Sequence, residues 1–328
     1  MPATTSVPKN APVRHDMSVI LVTGSYDHEI RFWEAWSGIC SRTIARTGES
    51  GQVNRLAISH DKRFLAAAIH KKIYLYDIAS SSSDPLIIFD GHNNNVTSIA
   101  FNSEGKWLVS GSEDGTIKIW DLRNPSNSVH RTYENVASVN DVVIHPNQGE
   151  LISCDQSGSI KQWDLTDNIC SHELTPAGDV PIRSVTLASD GSCLVAGNNK
   201  GQCYVWKLND ENTALPRFQA VTRFSAHNKY LTRCLLSPDA RYLATCSADT
   251  TVKIWSISPT YDFKLEKVLI GHQRWVWDCA FSADSAYLVT ASSDHTARLW
   301  EMSSGETVRQ YNGHHKAAVC CALHDGAS

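Results

Sequence analysis

The chain of 328 residues has little of what marks many enzymes, membrane proteins and secreted scaffolds. No stretch approaches the ~20 apolar residues needed to span a bilayer. The first 17 residues, Met1 to Met17, are polar and lack the apolar core of a signal peptide. No block of like charge stands out and the net charge is only −4, so nothing suggests a nucleic-acid footprint. Ten cysteines are present without a C-x-x-C pair. Cys154, Cys193, Cys203, Cys234, Cys246 and Cys279 sit inside strand-like runs and read as small hydrophobes. No disulfide framework is expected in so large a core, and no redox role for the adjacent Cys320 and Cys321. There is no G-x-S-x-G elbow and no P-loop. Gly313-His314-His315 has no partner cysteine or carboxylate at ligand spacing. These absences predict a soluble cytoplasmic protein with no catalytic site, metal or cofactor.

What is present is a repeat. Seven apolar runs close on an aromatic residue: Trp33, Tyr76, Trp120, Trp163, Trp206, Trp255 and Trp300. Their spacings are 43, 44, 43, 43, 49 and 45 residues. That period, with Asp-Gly or a similar turn six residues before the aromatic, is the mark of a WD40 β-propeller. The third unit is the clearest. It runs from Gly91-His92 through Val96 to Phe101, then Trp107 to Ser112, the turn Asp114-Gly115, and Thr116 to Asp121. Each alternating run is a strand, and the Asp-Gly pair tolerates the positive φ of a hairpin turn. Four antiparallel strands then make one blade. The prediction is an all-β, seven-bladed ring over residues 18–324, with a polar tail at 1–17 and a short tail at 325–328.

Within the repeat, His92, Ser110, Asp114 and Trp120 are spaced 18, 4 and 6. The same spacing recurs in His227, Thr245, Asp249, Trp255 and in His272, Thr290, Asp294, Trp300. A buried indole N–H and a buried imidazole must find partners. A hydrogen-bonded chain from Trp through Ser/Thr and His to Asp supplies them, which gives these residues a structural role. The first unit has Thr23, Asp27 and Trp33 but no preceding Gly-His. Gly313-His314, followed by Ala317 to Leu323, supplies the missing piece. The C-terminal strand should therefore complete the N-terminal blade and close the ring. The second, fourth and fifth units depart from the pattern, with Gly48, Ala66, His70, Tyr76; Asn135, Ser153, Ser157, Trp163; and Gly178, Ala196, Lys200, Trp206. Their blades must be held by packing or by other polar contacts. Ala79 to Pro85, with four consecutive serines, and Lys207 to Phe218 read as long surface loops.

The narrow top face of the ring is the candidate binding surface. Trp275 and Trp277 lie at the start of the last complete unit, where other units carry Asn95 and Thr97, or Tyr230 and Thr232. Two tryptophans there exceed what packing requires, although filling gaps between blades is the plainer use for them. Tyr26, Gln52, Asn54, Asn95, Asn140, Arg183 and Tyr230 occupy comparable places. Together they offer an amide-rich and aromatic face suited to a protein partner.

Beyond the general class, the chain resembles the small propeller subunit of TOR kinase complexes, the GβL family. The likeness rests on Gly24-Ser25-Tyr26-Asp27-His28, Arg31-Phe32-Trp33, Ser37-Gly38-Ile39-Cys40 and Gln52-Val53-Asn54. It continues in His145-Pro146-Asn147-Gln148, Asp155-Gln156-Ser157-Gly158 and Leu243 to Asp249. Most distinctive is Trp275-Val276-Trp277 before Cys279-Ala280-Phe281-Ser282 and Val289 to Asp294. It covers roughly Val19 to Leu323, whereas Met1 to Asp16 matches nothing in that family. The resemblance implies a non-catalytic subunit of both TOR complexes, working beside their other subunits. It would sit on an insertion in the C-terminal lobe of the kinase domain and stabilise the active-site region. It also implies kinase contact by Gln52 and Trp275. Tyr26, Asn95, Tyr230 and Trp277 extend that set by their place on the face. Any association with endomembranes would come through the complex. Two rival readings are a generic adaptor, such as a ubiquitin-ligase substrate receptor or peptide reader, and a propeller enzyme. The first would normally bring an extra domain or a charged central pocket, and the second convergent titratable groups. Neither is evident in the sequence.

Overall fold

The computed structural model describes residues 19–45, 51–123, 129–209 and 215–326. The polar tail at 1–17, Gly48, the centre of the Lys207 to Phe218 loop and the last two residues lie outside the described residues.

The described chain forms seven four-stranded antiparallel sheets, arranged as the blades of a propeller. Blades 2 to 7 are each built from four consecutive strands. Blade 3, for example, contains Val96–Phe101, Trp107–Ser112, Thr116–Asp121 and Val129–Glu134. Its second strand is covered on both faces and is almost wholly buried, while its outermost strand alternates exposed residues with residues that are half-buried or buried. Blade 1 is composite. Ala318–His324 pairs with Ile20–Ser25, with Leu21 opposite Leu323 and Thr23 opposite Cys321. The ring is thus closed by the C-terminal strand, as the sequence predicts.

Apolar side chains gather between blades rather than in one centre. Ala66, Ala68, Ile73 and Phe89 of blade 2 pack with Val96, Ile99, Leu108 and Trp120 of blade 3. Leu21 and Trp33 of blade 1 pack in the same way with Val289, Leu299 and Tyr311 of blade 7. The approach is close enough to require small residues in the second strands. A Cβ on Gly111 would lie 2.6 Å from Val139 Cγ1 of blade 4. Gly115, at φ +81°, takes the left-handed position of the predicted turn. All ten cysteines are free, and Cys320 and Cys321 are buried. Burial pushes both of those thiols well above the ordinary range, away from thiolate reactivity.

Four hydrogen-bonded relays pin the blades. In blade 3, Trp120 Nε1 donates to Ser110 Oγ at 2.8 Å, and that oxygen lies 2.7 Å from His92 Nε2. His92 Nδ1 is 2.9 Å from Asp114. Blade 6 joins Trp255, Thr245, His227 and Asp249 at 3.0, 2.9 and 2.7 Å. Blade 7 joins Trp300, Thr290, His272 and Asp294 at 2.9, 2.7 and 2.7 Å. In blade 1 the relay crosses the closure. Trp33 reaches Thr23 at 2.8 Å, Thr23 meets His314 at 2.8 Å, and His314 meets Asp27 at 2.9 Å.

Blade 4 carries a shortened version. Trp163 still donates to Ser153 at 2.8 Å, and Asn135 donates to Asp155 at 2.9 Å. The carboxylate thus comes from two residues before Ser157, whose hydroxyl itself donates to Asp155 at 2.6 Å. In blade 5, Tyr204 stacks beside Trp206 at 6.1 Å.

Replacing Asp114 with alanine should cost about 1–3 kcal/mol, because it leaves a buried imidazole without its acceptor. Burial alone would raise this carboxyl's pKa. Hydrogen bonds from Thr116, the Asn93 amide and His92 outweigh burial and hold it below its ordinary range. A depressed carboxyl stabilises the fold above its unfolded pKa of about 4 and loses that contribution as pH falls through the folded value. Thermal melts of Asp114→Ala should therefore differ from wild type most at neutral pH and converge on it in acid. An unchanged neutral melting temperature would contradict the assignment.

Candidate functional site

At the narrow face, each innermost strand opens with a bulge. The register shifts between Val53 and Arg55, Val96 and Ser98, Val139 and Asp141, Ile182 and Ser184, Leu231 and Arg233, and Val276 and Asp278. A bulge re-aims the extra side chain. The extra residues are Asn54, Thr97, Asn140, Arg183, Thr232 and Trp277, and Val319 holds the matching place in blade 1. All seven line one mouth of about 170 Å³, with Tyr26, Gln52, Asn95 and Glu113 around them.

Below the mouth lies a cluster of four charges. In blades 2 to 7 the next residue of the innermost strand lines the channel. Arg55, Asp141, Arg233 and Asp278 meet there, from blades 2, 4, 6 and 7. Arg55 is 3.5 Å from Asp141 and 3.3 Å from Asp278. Arg233 pairs with Asp141 and lies 3.4 Å from Asp278. Ser98 and Ser184, at the same level in blades 3 and 5, donate to Asp141 at 2.8 and 3.1 Å. Burial works against ionisation of Asp141, but Arg233 and Arg55 outweigh it and hold the carboxyl low. Burial would likewise lower Arg233, yet Asp141 and Asp278 hold it above its ordinary range. Arg55, Asp141 and Arg233 line both the mouth and a second cavity of about 250 Å³ beyond it. The cluster therefore partitions the channel. The sequence reading finds no charged pocket, and this one is charged but compensated.

The six predicted contact residues share this face. Tyr230 stacks on Trp275 with ring centroids 5.7 Å apart, and Trp275 meets Trp277 at 5.2 Å. Trp275 is 41% exposed. Trp277 is different. Its indole donates to Ser293 at 2.6 Å, and its ring packs against the core between blades 1 and 2. Gap filling thus describes Trp277 in part and does not describe Trp275. Tyr26, 36% exposed, sits on the turn of blade 1, with its amide bonded to Ala317 O. Gln52 and Asn95 immediately precede the first strands of blades 2 and 3 on the same mouth, and Asn95 Nδ2 donates to Glu113 at 3.0 Å.

Among the described residues, nothing lining this mouth pairs a nucleophile with a base. Among the described residues, one group brings three metal-type ligands together: Asp27, Glu29 and His314. Asp27 and His314 are the relay pair of blade 1, and Glu29 is bound by Arg31 at 2.7 and 2.9 Å. No helix among the described residues is long and apolar enough to cross a membrane. The loop with Ser80 to Ser83 lies at the opposite end of blade 2, where Arg42 donates to Ser82 O at 2.5 Å.

Seven blades, four of them pinned by Trp–Ser/Thr–His–Asp relays, define a WD-repeat β-propeller. The family model described as the IFT122 first beta-propeller matches residues 52–324. The chain is 63% identical over 315 residues to the target of rapamycin complex subunit wat1 of Schizosaccharomyces pombe, covering 96% of this chain and 98% of that protein. It is 58% identical to the target of rapamycin complex subunit LST8 of Saccharomyces cerevisiae, covering 94% and 100%. Against the LST8 subunit of Bos taurus the figures are 45% identity, with 94% and 95% covered. The chain belongs to the LST8 family of target of rapamycin complex subunits.

Proposed function

We propose that this protein is a non-catalytic subunit of TOR complexes that binds the kinase domain through the narrow face and stabilises it. The observation that carries this reading is the stack of Tyr230, Trp275 and Trp277, held rigidly yet open at Trp275. Packed aromatic anchors of this kind dominate binding energy at protein interfaces. The face belongs to the closed ring, so little backbone change is expected on docking. The insertion in the C-terminal lobe of a TOR-type kinase is the proposed counterpart, with Gln52, Asn95 and Tyr26 as polar and aromatic contacts around the anchor. The His, Ser, Thr and Asp residues of the kind used in hydrolysis are tied into buried relays, which supports a scaffold rather than an enzyme.

Trp275→Ala should leave the ring folded and cost about 2 kcal/mol or more of kinase affinity. Co-purification from extract with the tagged wild type and variant checks this, read by mass spectrometry. A TOR-type kinase retained at wild-type strength by the variant would displace the anchor. A ubiquitin-ligase scaffold recovered instead would overturn the functional reading.

A further inference from the structure

The bulge residues of the seven blades divide into two sets. Four tie their blade to the next: Asn54 donates to Val96 O at 3.2 Å, Thr97 to Val139 O at 2.7 Å, Asn140 to Ile182 O at 2.8 Å and Thr232 to Val276 O at 2.5 Å. The other three make no such tie. Val319 has no donor. Trp277 turns to Ser293 of its own blade. The third is Arg183, the one charged residue among the seven. Its guanidinium donates to Asn140 Oδ1 at 3.3 Å and lies 5.9 Å from the centre of the Tyr230 ring.

Charge pairing sets Arg183 apart. The two arginines below it, Arg55 and Arg233, are matched by Asp141 and Asp278. Arg183 has no ion-pair contact with a carboxylate of the described residues. Glu113, the other acid at the mouth, is held by Asn95. Arg183 is half-buried beneath the aromatic stack, so its planar fork is pre-oriented by Tyr230 and opens onto a cavity the size of one side chain.

Resting on the reading of this face as the kinase-docking surface, we propose that the mouth is a socket for a single glutamate or aspartate side chain of the bound partner, with Arg183 as its counter-ion. The aromatic stack supplies the anchor and the socket sets register. A forked Arg–carboxylate pair is directional, and a partner without the acid leaves a guanidinium covered and unpaired.

The test uses the full chain and a purified TOR-type kinase, with affinity measured across a salt series for wild type, Arg183→Met, Arg183→Lys and Trp275→Ala. Arg183→Met should weaken binding about 30-fold and flatten its salt dependence. Arg183→Lys should recover part of the loss. Melting temperatures of the Arg183 variants should stay close to wild type, since the one bond Arg183 makes across blades, to Asn140, is long at 3.3 Å. If Arg183→Met binds within twofold of wild type while Trp275→Ala is lost, the socket is wrong and the face stands. If neither substitution weakens binding, the docking surface itself is misassigned, and the socket falls with it.

Discussion

A chain ending at Gly313 is expected to form no stable ring. The lost segment contains His314, so Thr23 and Asp27 lose the group that links them across the closure. It also contains Ala318, Val319, Cys320, Cys321 and Ala322, all buried. Their strand covers the inner edge of Ile20–Ser25 and packs against blade 7 through Ala318 and Cys321. On the other side, Val319, Cys320 and Ala322 pack with Val53 and Leu56 of blade 2. Each apolar side chain uncovered costs about 1–3 kcal/mol, and the total approaches the ~5–15 kcal/mol by which whole domains are stable. A bare sheet edge also invites aggregation. Circular dichroism and size exclusion of the truncated chain would decide it. A soluble monomer melting within a few degrees of the full chain would show that the ring does not depend on this strand.

The second large effect belongs to the channel. Asp141→Ala should lower stability by about 3–5 kcal/mol, because it strips Arg233 and Arg55 of a buried counter-ion. The penalty comes from the charges left behind rather than from the carboxylate itself. Removing Arg233 together with Asp141 should therefore be less damaging than the sum of the single changes. Asp141→Asn, which retains an acceptor for Ser98, should fall between. Urea unfolding with comparison of midpoints at constant slope would measure all three. A loss below about 1 kcal/mol for Asp141→Ala would mean that water reaches the cluster and screens it. The carboxyl is held low, so its contribution is present above the ordinary aspartate pKa of about 3.9 and declines as pH falls through the lower folded value.

Legibility from sequence differed between these features for a physical reason. The blades could be read because their signals are local. The Asp114-Gly115 turn and the run ending at Trp120 fall within seven residues, and the His92 relay spans one repeat. The closure was readable because a lone Gly313-His314 and a first unit without one are complementary deficits. The channel cluster was not readable in the same way. Arg55 and Asp278 are 223 residues apart and meet only when the ring is complete. A signal did exist in the repeat register, since Arg55, Ser98, Asp141, Ser184, Arg233 and Asp278 are polar residues at one level, directly after the bulge residues, in strands whose other positions are mostly apolar. In blade 4, register misled in the other direction. The fourth relay place falls on Ser157, while Asp155 swings in to meet Asn135. On the binding face, residue type alone pointed to the tryptophans. Only the bulge geometry separates exposed Trp275 from the partly packed Trp277, and unmatched Arg183 from its paired neighbours.

The composite first blade also sets a clock. Ile20–Ser25 leaves the ribosome before every other described strand, and its partner strand follows roughly 300 residues later, tens of seconds at ordinary elongation rates. Throughout that interval Leu21 and Val22 have nothing on one side. Six blades can assemble as they emerge, but the ring is finished only once Ala318–His324 has been made. Newly made chains therefore pass through an open intermediate with one bare edge. Any cellular factor that holds such edges would govern how much of this protein reaches its complex.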